Sequence, residues 1–350
     1  MILTVIGARP QFVKAAVVSR ALKDFNIEEI IIHTGQHYDK EMSDIFWEEL
    51  DLPKPQKNLM VGSGLHGAQT AQIITKLEKE MLDIRPQALL VYGDTNSTLA
   101  GAIVASKLNI KVIHVEAGLR SFNRTMPEEI NRIITDCVSE ILFCSSEEGV
   151  KQLEREGIVT NVFNVGDVMY DALNAYGPIA KNKIKLEEVL PFEYEPYILA
   201  TIHRPSNTDS SFNLEGIISA FRELPYKIVW PLHPRNRESI TRFNIPENVF
   251  IILPASYLEM QVLLQSCTKV CTDSGGLQKE AYWSKKPCIT LRDDTEWVET
   301  LSGNWNMLTG PNRTKIVNAV RTKVELNTWK ELYGDGKASV RIASILKNLI

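Results

Sequence analysis

The sequence predicts an α/β protein made of two doubly wound, Rossmann-like domains that face each other across a cleft. Continuous apolar runs that look like buried strands alternate with amphipathic helical stretches, which is typical of parallel sheets covered on both faces. The alternation stops from Ala175 to Pro196, a stretch rich in lysine, glutamate and proline, and then resumes. We therefore expect a linker there, with one helical turn, between two domains of similar construction.

Eleven strands are predicted, six before this linker and five after it. Those before it are Ile2–Ile6, Glu29–His33, Ala88–Tyr92, Lys111–Val115, Glu140–Cys144 and Val162–Val165, and those after it are Tyr197–Ile202, Ile228–Leu232, Val249–Leu253, Lys269–Thr272 and Pro287–Leu291. We assign residues 1–170 to a first domain and residues 171–336 to a second. The tail from Lys337 to Ile350 predicts a helix that can pack back on the first domain.

Composition narrows the class of protein. The chain has 350 residues, 44% of them hydrophobic and 23% charged, as in globular proteins long enough for two cores. A net charge of −4 argues against a general nucleic-acid-binding protein. The five cysteines contain no CxxC pair, so we expect reduced thiols and no metal site. The apolar runs are too short for a signal-peptide core or a membrane span, and we expect a cytoplasmic protein without membrane contact.

Four acidic residues cluster in the middle of the first domain: Asp94, Glu116, Glu128 and Glu129. Asp94 and Glu116 each follow a predicted strand. Groups at the carboxyl ends of strands in a doubly wound sheet point toward the ligand crevice. At least two of these carboxylates are therefore expected to share one site. The alternative is that Asp94, Glu128 and Glu129 are helix N-caps or first-turn acids, which the helix dipole favours.

A glycine turn follows the first strand. Gly7-Ala8-Arg9-Pro10 precedes a helical stretch that contains Lys14. A glycine turn at a helix N-terminus suits an anion, and Arg9 and Lys14 add positive charge. This motif is weak, since many strand–helix turns contain glycine and arginine.

The segment 62–67, GSGLHG, matches the pattern GxGxxG. A dinucleotide-binding fingerprint must follow the first strand of a βαβ unit, and this segment does not. We interpret it as a loop that caps the helix from Ala68, and we expect no NAD.

The turn Asp273-Ser274-Gly275-Gly276 has the context that GSGLHG lacks. It follows a predicted strand directly and opens a helix that contains Glu280. Free backbone N–H groups and the helix dipole favour a diphosphate there, and glycine allows its close approach. Glu280 lies far enough along the helix to accept hydrogen bonds from ribose hydroxyls. An ordinary capped helix is the alternative.

Two histidine–arginine pairs end the first two strands of the second domain. His203 and Arg204 follow one strand, and His233 and Arg235 follow the next. A lone histidine is more often structural, but two such pairs at adjacent strand ends both project toward the crevice. With Arg9 and Arg132, they predict a cationic lining that the overall charge conceals.

These motifs together resemble one enzyme family. GARPQFVKA, HTGQHYD, YGDTNSTLAG, HVEAGLRS, MPEEINR, HR, LHPR and TDSGGLQKEA occur in the order seen in the non-hydrolysing UDP-N-acetylglucosamine 2-epimerases, over nearly the whole chain. The opening GARPQ, with TLRDDTEWVE and NVGDVM, is most similar to the branch that acts on UDP-2,3-diacetamido-2,3-dideoxyglucuronate for bacterial surface polysaccharides such as O-antigen. The resemblance implies a glycosyltransferase-B type fold, a homodimer and a UDP-sugar ligand.

The resemblance also implies a chemistry without cofactors. Family members eliminate UDP across C1–C2 to give a glycal, then add it back with the opposite C2 configuration. Matching positions put Asp94, Glu116 and Glu128 at the proton transfer, with Asp94 or Glu116 as the base, and His203 at the leaving diphosphate. Positions implied to bind phosphate, sugar or nucleotide are Arg9, Lys14, Arg132, His233, Tyr257, Ser274, Gly275, Gly276 and Glu280.

One position departs from the family pattern. The UDP-N-acetylglucosamine enzymes have an ERPE motif where this chain has Glu296-Trp297-Val298-Glu299, so one cation is lost from the phosphate neighbourhood. The candidates to meet a C6 carboxylate are Arg124, Arg204 and Arg235. UDP-N-acetylglucosamine is the alternative substrate, and a glycosyltransferase of the same fold is the alternative class.

Overall fold

The computed structural model describes residues 1–36, 47–233 and 236–350. The chain divides into two compact units, the first formed by Met1–Ala175 with Tyr333–Ile350 and the second by Tyr176–Leu332. Parts of two motifs lie outside the described residues, namely residues 37–39 of HTGQHYD and the pair Pro234-Arg235 of LHPR.

Seven strands of the first unit, within its described part, form one parallel sheet. Its order is β3-β2-β1-β4-β5-β6-β7. The strands are β1 Ile2–Ile6, β2 Glu29–His33, β3 Lys57–Asn58, β4 Ala88–Tyr92, β5 Lys111–Ala117, β6 Ile141–Cys144 and β7 Val162–Asn164. The central strands are apolar along their length because helices cover both faces. The order reverses between β1 and β4, which is the point where doubly wound sheets bind ligands.

Helices connect these strands. They are α1 Arg9–Asp24, α2 His66–Ile84, α3 Asn96–Lys107, α4 Pro127–Val138, α5 Glu147–Arg155 and the start of α6 Val168–Lys183. The last helix of the chain, α14 Ala338–Leu349, packs against α1. The carboxylate of Asp171 accepts hydrogen bonds from the backbone N–H groups of Ala338 and Ser339 and from the Ser339 hydroxyl, which supplies partners for the first turn of α14.

Six strands of the second unit, within its described part, repeat the same construction. The order β10-β9-β8-β11-β12-β13 reverses between β8 and β11, again with parallel neighbours. The strands are β8 Tyr197–Thr201, β9 Lys227–Pro231, β10 Val249–Ile252, β11 Lys269–Thr272, β12 Cys288–Thr290 and β13 Asn306–Leu308. The helices are α7 Leu186–Val189, α8 Pro205–Thr208, α9 Ser211–Arg222, α10 Arg237–Ile240, α11 Tyr257–Ser266, α12 Gly275–Trp283 and α13 Arg313–Arg321. The prediction of two Rossmann-like units is confirmed.

The predicted linker does not begin at Ala175, so this part of the prediction is wrong. Helix α6 continues to Lys183, with Pro178 inside it. Tyr176 and Ala180 are buried on this helix. Burial of its apolar face therefore outweighs the lysines and the proline, and only the short α7 follows before β8.

Among the helices that the structure describes, none is both long and apolar enough to cross a bilayer.

Candidate active site

The turn after β4 lies at the reversal point of the first sheet. Gly93 has a φ of +61°, and its N–H donates to the Val115 carbonyl across a 2.9 Å hydrogen bond. A Cβ atom at Gly93 would lie 3.3 Å from the Lys14 ammonium nitrogen. This turn therefore needs glycine for its conformation and brings the backbone of Gly93 against Lys14. Asp94 follows immediately.

Glu116 is at an irregularity in β5. The pairing of β5 with β6 shifts register between Val115 and Ala117, and Glu116 has a φ of +76°, which is rare for a residue other than glycine. The bulge redirects the side chain, so that its carboxylate Oε2 lies 2.5 Å from Lys14 Nζ. Strained residues of this kind concentrate at functional sites.

Asp94 is paired with a different cation. Arg132 Nη2 and Nε donate to Asp94 Oδ2 at 2.6 and 3.0 Å, and Arg132 Nη1 donates to Glu129 at 3.0 Å. The Asn131 side chain also donates to the Asp94 carbonyl. The Asp94 side chain is 28% exposed, whereas that of Arg132 is 7% exposed. Asp94 is therefore held in place but accessible, and the N-cap of α3 is Thr95.

Glu129 fixes the loop between β5 and α4. Its carboxylate accepts hydrogen bonds from the Ser121 N–H, the Ser121 hydroxyl and the Phe122 N–H. Burial alone would raise the pKa of Glu129, but these hydrogen bonds and the charge of Arg132 lower it below the ordinary value. Glu129 is thus an ionised first-turn acid with a structural role, while the adjacent Glu128 in the same turn is half-buried.

The N-terminus of α1 is largely occupied by the protein itself. The N–H groups of Gly7 and Ala8 donate to the side-chain oxygen of Gln11, and the Gln11 amide donates to the carbonyl that ends β4. Arg9, the first residue of the helix, is half-buried. These bonds engage the N–H groups of Gly7 and Ala8, so the predicted anion site at the glycine turn depends on Arg9 and Lys14 and stays a prediction.

The reversal point of the second sheet is organised by Asp273. The N–H groups of His203 and Arg204 and the side-chain amide of Asn207 donate to its buried carboxylate, and His203 Nδ1 lies 3.2 Å from Oδ1. Burial alone would raise the pKa of Asp273, but the hydrogen bonds and charge of His203, with the bonds from Asn207 and Arg204, lower it. The second histidine of the predicted pair, His233, is exposed and stacks on His203 with ring centroids 5.7 Å apart.

Helix α12 starts directly after Asp273. Ser274 is its N-cap, with its hydroxyl facing the Leu277 N–H, and Gly275 and Gly276 form the first turn. A Cβ atom built at Gly276 would meet no described atom within 4 Å, so this turn is open to a ligand. Open N–H groups at a helix N-terminus favour a diphosphate.

The remaining two predicted residues of this unit are buried. Glu280 lies on α12, and Tyr257 begins α11, where its ring packs edge-on against Tyr176 with centroids 5.9 Å apart. Over residues 1–36, 47–233 and 236–350, no group of three or more His, Cys, Asp or Glu side chains is arranged to hold a metal ion.

A family model described as UDP-N-acetylglucosamine 2-epimerase matches residues 20–347. The chain belongs to this family. It is therefore a non-hydrolysing UDP-sugar 2-epimerase, an isomerase, as its motifs predict.

Similar proteins cover the chain almost completely. A Methanococcus maripaludis protein named UDP-N-acetylglucosamine 2-epimerase homolog is 51% identical, and the UDP-2,3-diacetamido-2,3-dideoxy-D-glucuronate 2-epimerase of Pseudomonas aeruginosa is 47% identical; each alignment covers 99% of both chains. The crystal structure of the Methanocaldococcus jannaschii UDP-GlcNAc 2-epimerase in complex with UDP-GlcNAc and UDP has a TM-score of 0.93 at 42% identity, covering 99% of this chain and 100% of that one.

The predicted site residues fall into two groups, one in each unit of the epimerase fold. In the first unit Asp94 and Glu116 lie with Lys14 and Arg132 around the turns after β4 and β5, and in the second unit His203 lies beside the start of α12. The sequence did not predict the residues that hold these groups in place. They are Gln11, His114 and Asp273, the last of which accepts hydrogen bonds from His203 and Arg204. The available signal for His114 was a histidine inside an apolar strand, since a buried polar group requires partners.

Trp297, which replaces the arginine of the family's ERPE motif, packs against a lysine. The Lys279 ammonium nitrogen lies 3.6 Å from the centre of the Trp297 ring, and both residues are buried. The Trp297 indole nitrogen lies 3.4 Å from the position of a Cβ atom on Gly275. In this epimerase a cation–π pair therefore stands beside the first turn of α12.

Proposed function

We propose that this enzyme interconverts the C2 epimers of UDP-2,3-diacetamido-2,3-dideoxyglucuronate, for surface polysaccharide synthesis, and that UDP-N-acetylglucosamine is the alternative substrate. The observation behind this proposal is the pair of carboxylates, Asp94 and Glu116, each bonded to its own cation at adjacent strand ends. The family resemblance further supports a cytoplasmic homodimer.

The reaction needs a base, because the proton at C2 of the sugar is barely acidic. As the base takes this proton, the C2–H electron pair forms the C1=C2 bond and the C1–O pair leaves with UDP. Re-addition joins UDP oxygen to C1 and delivers a proton to the other face of C2. Two carboxyl groups in different surroundings suit these two proton transfers. Glu116 beside Lys14 and Asp94 beside Arg132 offer such a pair.

Lys14 and Arg132 hold the Glu116 and Asp94 carboxylates in place through their ion pairs. We assign the base to Asp94 or Glu116 and keep the half-buried Glu128 as the third candidate for proton transfer. Arg9, Lys14 and Arg132 are proposed to contact the phosphates or the sugar.

The leaving diphosphate is assigned to the second unit. Asp273 orients His203 through Nδ1, so we assign Nε2 to the β-phosphate, where it can stabilise or protonate the leaving group. Gly275 and Gly276 would donate backbone N–H groups to the diphosphate, and Ser274 would donate its hydroxyl. Glu280 would accept from ribose hydroxyls, and His233 and Tyr257 would line the nucleotide region.

The choice of sugar is supported by the 47% identity to the P. aeruginosa enzyme and by Trp297 in place of the ERPE arginine. The 43% identity to the M. jannaschii UDP-N-acetylglucosamine 2-epimerase supports the alternative. Among the described arginines, Arg124 is exposed and Arg204 is half-buried, and both remain candidates to meet a C6 carboxylate.

The test is incubation with each UDP-sugar in D₂O, followed by NMR and mass spectrometry. One deuteron at C2, in intact UDP-sugar of both configurations, supports reversible elimination, and the sugar that exchanges faster is the substrate. Exchange of UDP-N-acetylglucosamine alone would reject the glucuronate assignment. If neither sugar exchanges and UDP appears only after an acceptor is added, the protein is a glycosyltransferase and the proposal is wrong.

A further inference from the structure

His114 lies in the middle of β5, two residues before Glu116, and is fully buried. Both of its ring nitrogens have close partners. Nε2 lies 2.8 Å from the Gly93 carbonyl oxygen, and Nδ1 lies 2.7 Å from Asp136 Oδ1. These distances are those of good hydrogen bonds.

The two partners determine the protonation of the ring. A backbone carbonyl can only accept, so Nε2 must have a proton. The Asp136 carboxylate also accepts from the Gly118 N–H at 3.1 Å and from Arg120 Nη1 at 2.7 Å. An ionised carboxylate with these donors can only accept, so Nδ1 must have a proton as well. A neutral imidazole, which has one N–H group, cannot satisfy both contacts.

The charges around His114 balance. Arg120 donates from Nε and Nη2 to both oxygens of Glu156, so that two cations, His114 and Arg120, face two anions, Asp136 and Glu156. Burial alone would raise the pKa of Asp136, but the charges and hydrogen bonds of His114 and Arg120 lower it. Cys144, on the neighbouring strand β6, remains a neutral thiol because burial and the charge of Asp136 raise its pKa.

Hydrogen bonds of His114 and Asp136 reach the backbone beside both carboxylates that are assigned to proton transfer, Asp94 and Glu116. Gly93 immediately precedes Asp94, and both its backbone groups are bonded to β5, its N–H to Val115 and its carbonyl to His114. On the other side, Asp136 holds the N–H of Gly118, two residues after Glu116.

We propose that His114 has a proton on both ring nitrogens and is a positioning residue, which sets the distance between the turn at Asp94 and the bulge at Glu116. This assignment rests on the proposed function in one respect, namely that Asp94 and Glu116 carry out the proton transfers. The charge of His114 follows from its partners alone and is tested separately.

The charge is tested on the wild-type enzyme with ¹⁵N-labelled histidine. We expect one ring, identified by its loss in His114→Gln, to show protons on both nitrogens at neutral pH. A spectrum in which one nitrogen of that ring has no proton would overturn the inference, whatever reaction the enzyme catalyses.

The positioning role is tested by kinetics of His114→Gln and His114→Leu. Gln can still donate one hydrogen bond and Leu none, so we expect kcat to fall about tenfold and about a hundredfold, respectively, with KM nearly unchanged. Both are assayed well below their unfolding temperatures. Val112→Ala, a buried substitution in the same strand β5, is the control and should keep wild-type kcat.

Unchanged kcat in folded His114→Leu would reject positioning even if the ring is charged. Absence of C2 exchange with either UDP-sugar in the wild type would instead reject the proposed function, without affecting the NMR result.

Discussion

Lys14 and Glu116 form an ion pair between helix α1 and strand β5, with 2.5 Å between Nζ and Oε2 and with side chains that are only 8% and 11% exposed. Two charges with so little access to water depend on each other, because each would be costly to bury alone. The pair thus links the fold of the first unit to the chemistry proposed for it.

Lys14→Met should lower the free energy of unfolding by about 3 kcal/mol, since it removes the cation beside a buried carboxylate. The double variant Lys14→Met/Glu116→Gln should recover part of this loss. Urea denaturation of the wild type, both single variants and the double variant gives the coupling. Losses that simply add would show that the two groups do not depend on each other.

Asp94→Asn should abolish turnover, with kcat reduced at least about a thousandfold, while the Kd for UDP stays within about threefold of the wild type. The substitution keeps the shape of the side chain and removes its charge. Calorimetric titration with UDP and the C2 exchange assay measure the two effects. Equal loss of both would indicate a structural role for Asp94.

Asp273→Asn should cost about 2 kcal/mol of stability near neutral pH, because the ionised carboxylate accepts hydrogen bonds from two backbone N–H groups and from Asn207. The folded-state pKa of Asp273 is lowered, so its stabilisation is complete above the unfolded pKa of about 3.9 and is lost as pH falls through the folded value. The stability gap between wild type and variant should therefore narrow below about pH 4. A gap that widens on acidification would contradict this assignment.

Trp297→Arg should destabilise the second unit, because it replaces the aromatic partner of Lys279 with a second buried cation. Adding Lys279→Glu should restore stability by supplying a carboxylate. The thermal unfolding temperatures of the two single variants and the double variant test this. If the double variant is no more stable than Trp297→Arg alone, the two side chains are not coupled.

Phe122→Gly should be more stable than Phe122→Ala by about 1 kcal/mol, the reverse of the usual order. Phe122 has a φ of +58° and is 76% exposed, so little burial is lost and glycine alone relieves the backbone strain. Chemical denaturation of the two variants makes the comparison. An alanine variant as stable as the glycine variant would mean that the loop relaxes out of this conformation.

Most of the sheet strands could be predicted because burial on both faces makes each strand a continuous apolar run. β3 and β13 could not, since they contain only Lys57–Asn58 and Asn306–Leu308 and pair at the edge of each sheet. Helix α6 was missed for another reason. Its lysines and Pro178 look like a linker locally, and only tertiary packing of Tyr176 and Ala180 makes the helix stable.

The side chains proposed for proton transfer could be found from sequence because each follows an apolar run, although Glu116 lies at a bulge inside β5 rather than after the strand. Their partners could not be found in this way. The partner of Glu116 is on α1, and that of Asp94 is on α4, far away in the chain. Glu128 and Glu129 are neighbours with the same side chain, and only the fold shows that Glu129 accepts hydrogen bonds from the backbone N–H groups of Ser121 and Phe122.

The hydrogen bonds from Ala338 and Ser339 to Asp171 have a consequence for biosynthesis. Because α14 belongs to the first unit, a ribosome must make the whole second unit before the first can acquire its final helix. Until then the face of α1 that α14 covers stays open to other partners, including chaperones. Of the two units, the first therefore begins synthesis earlier but is completed later.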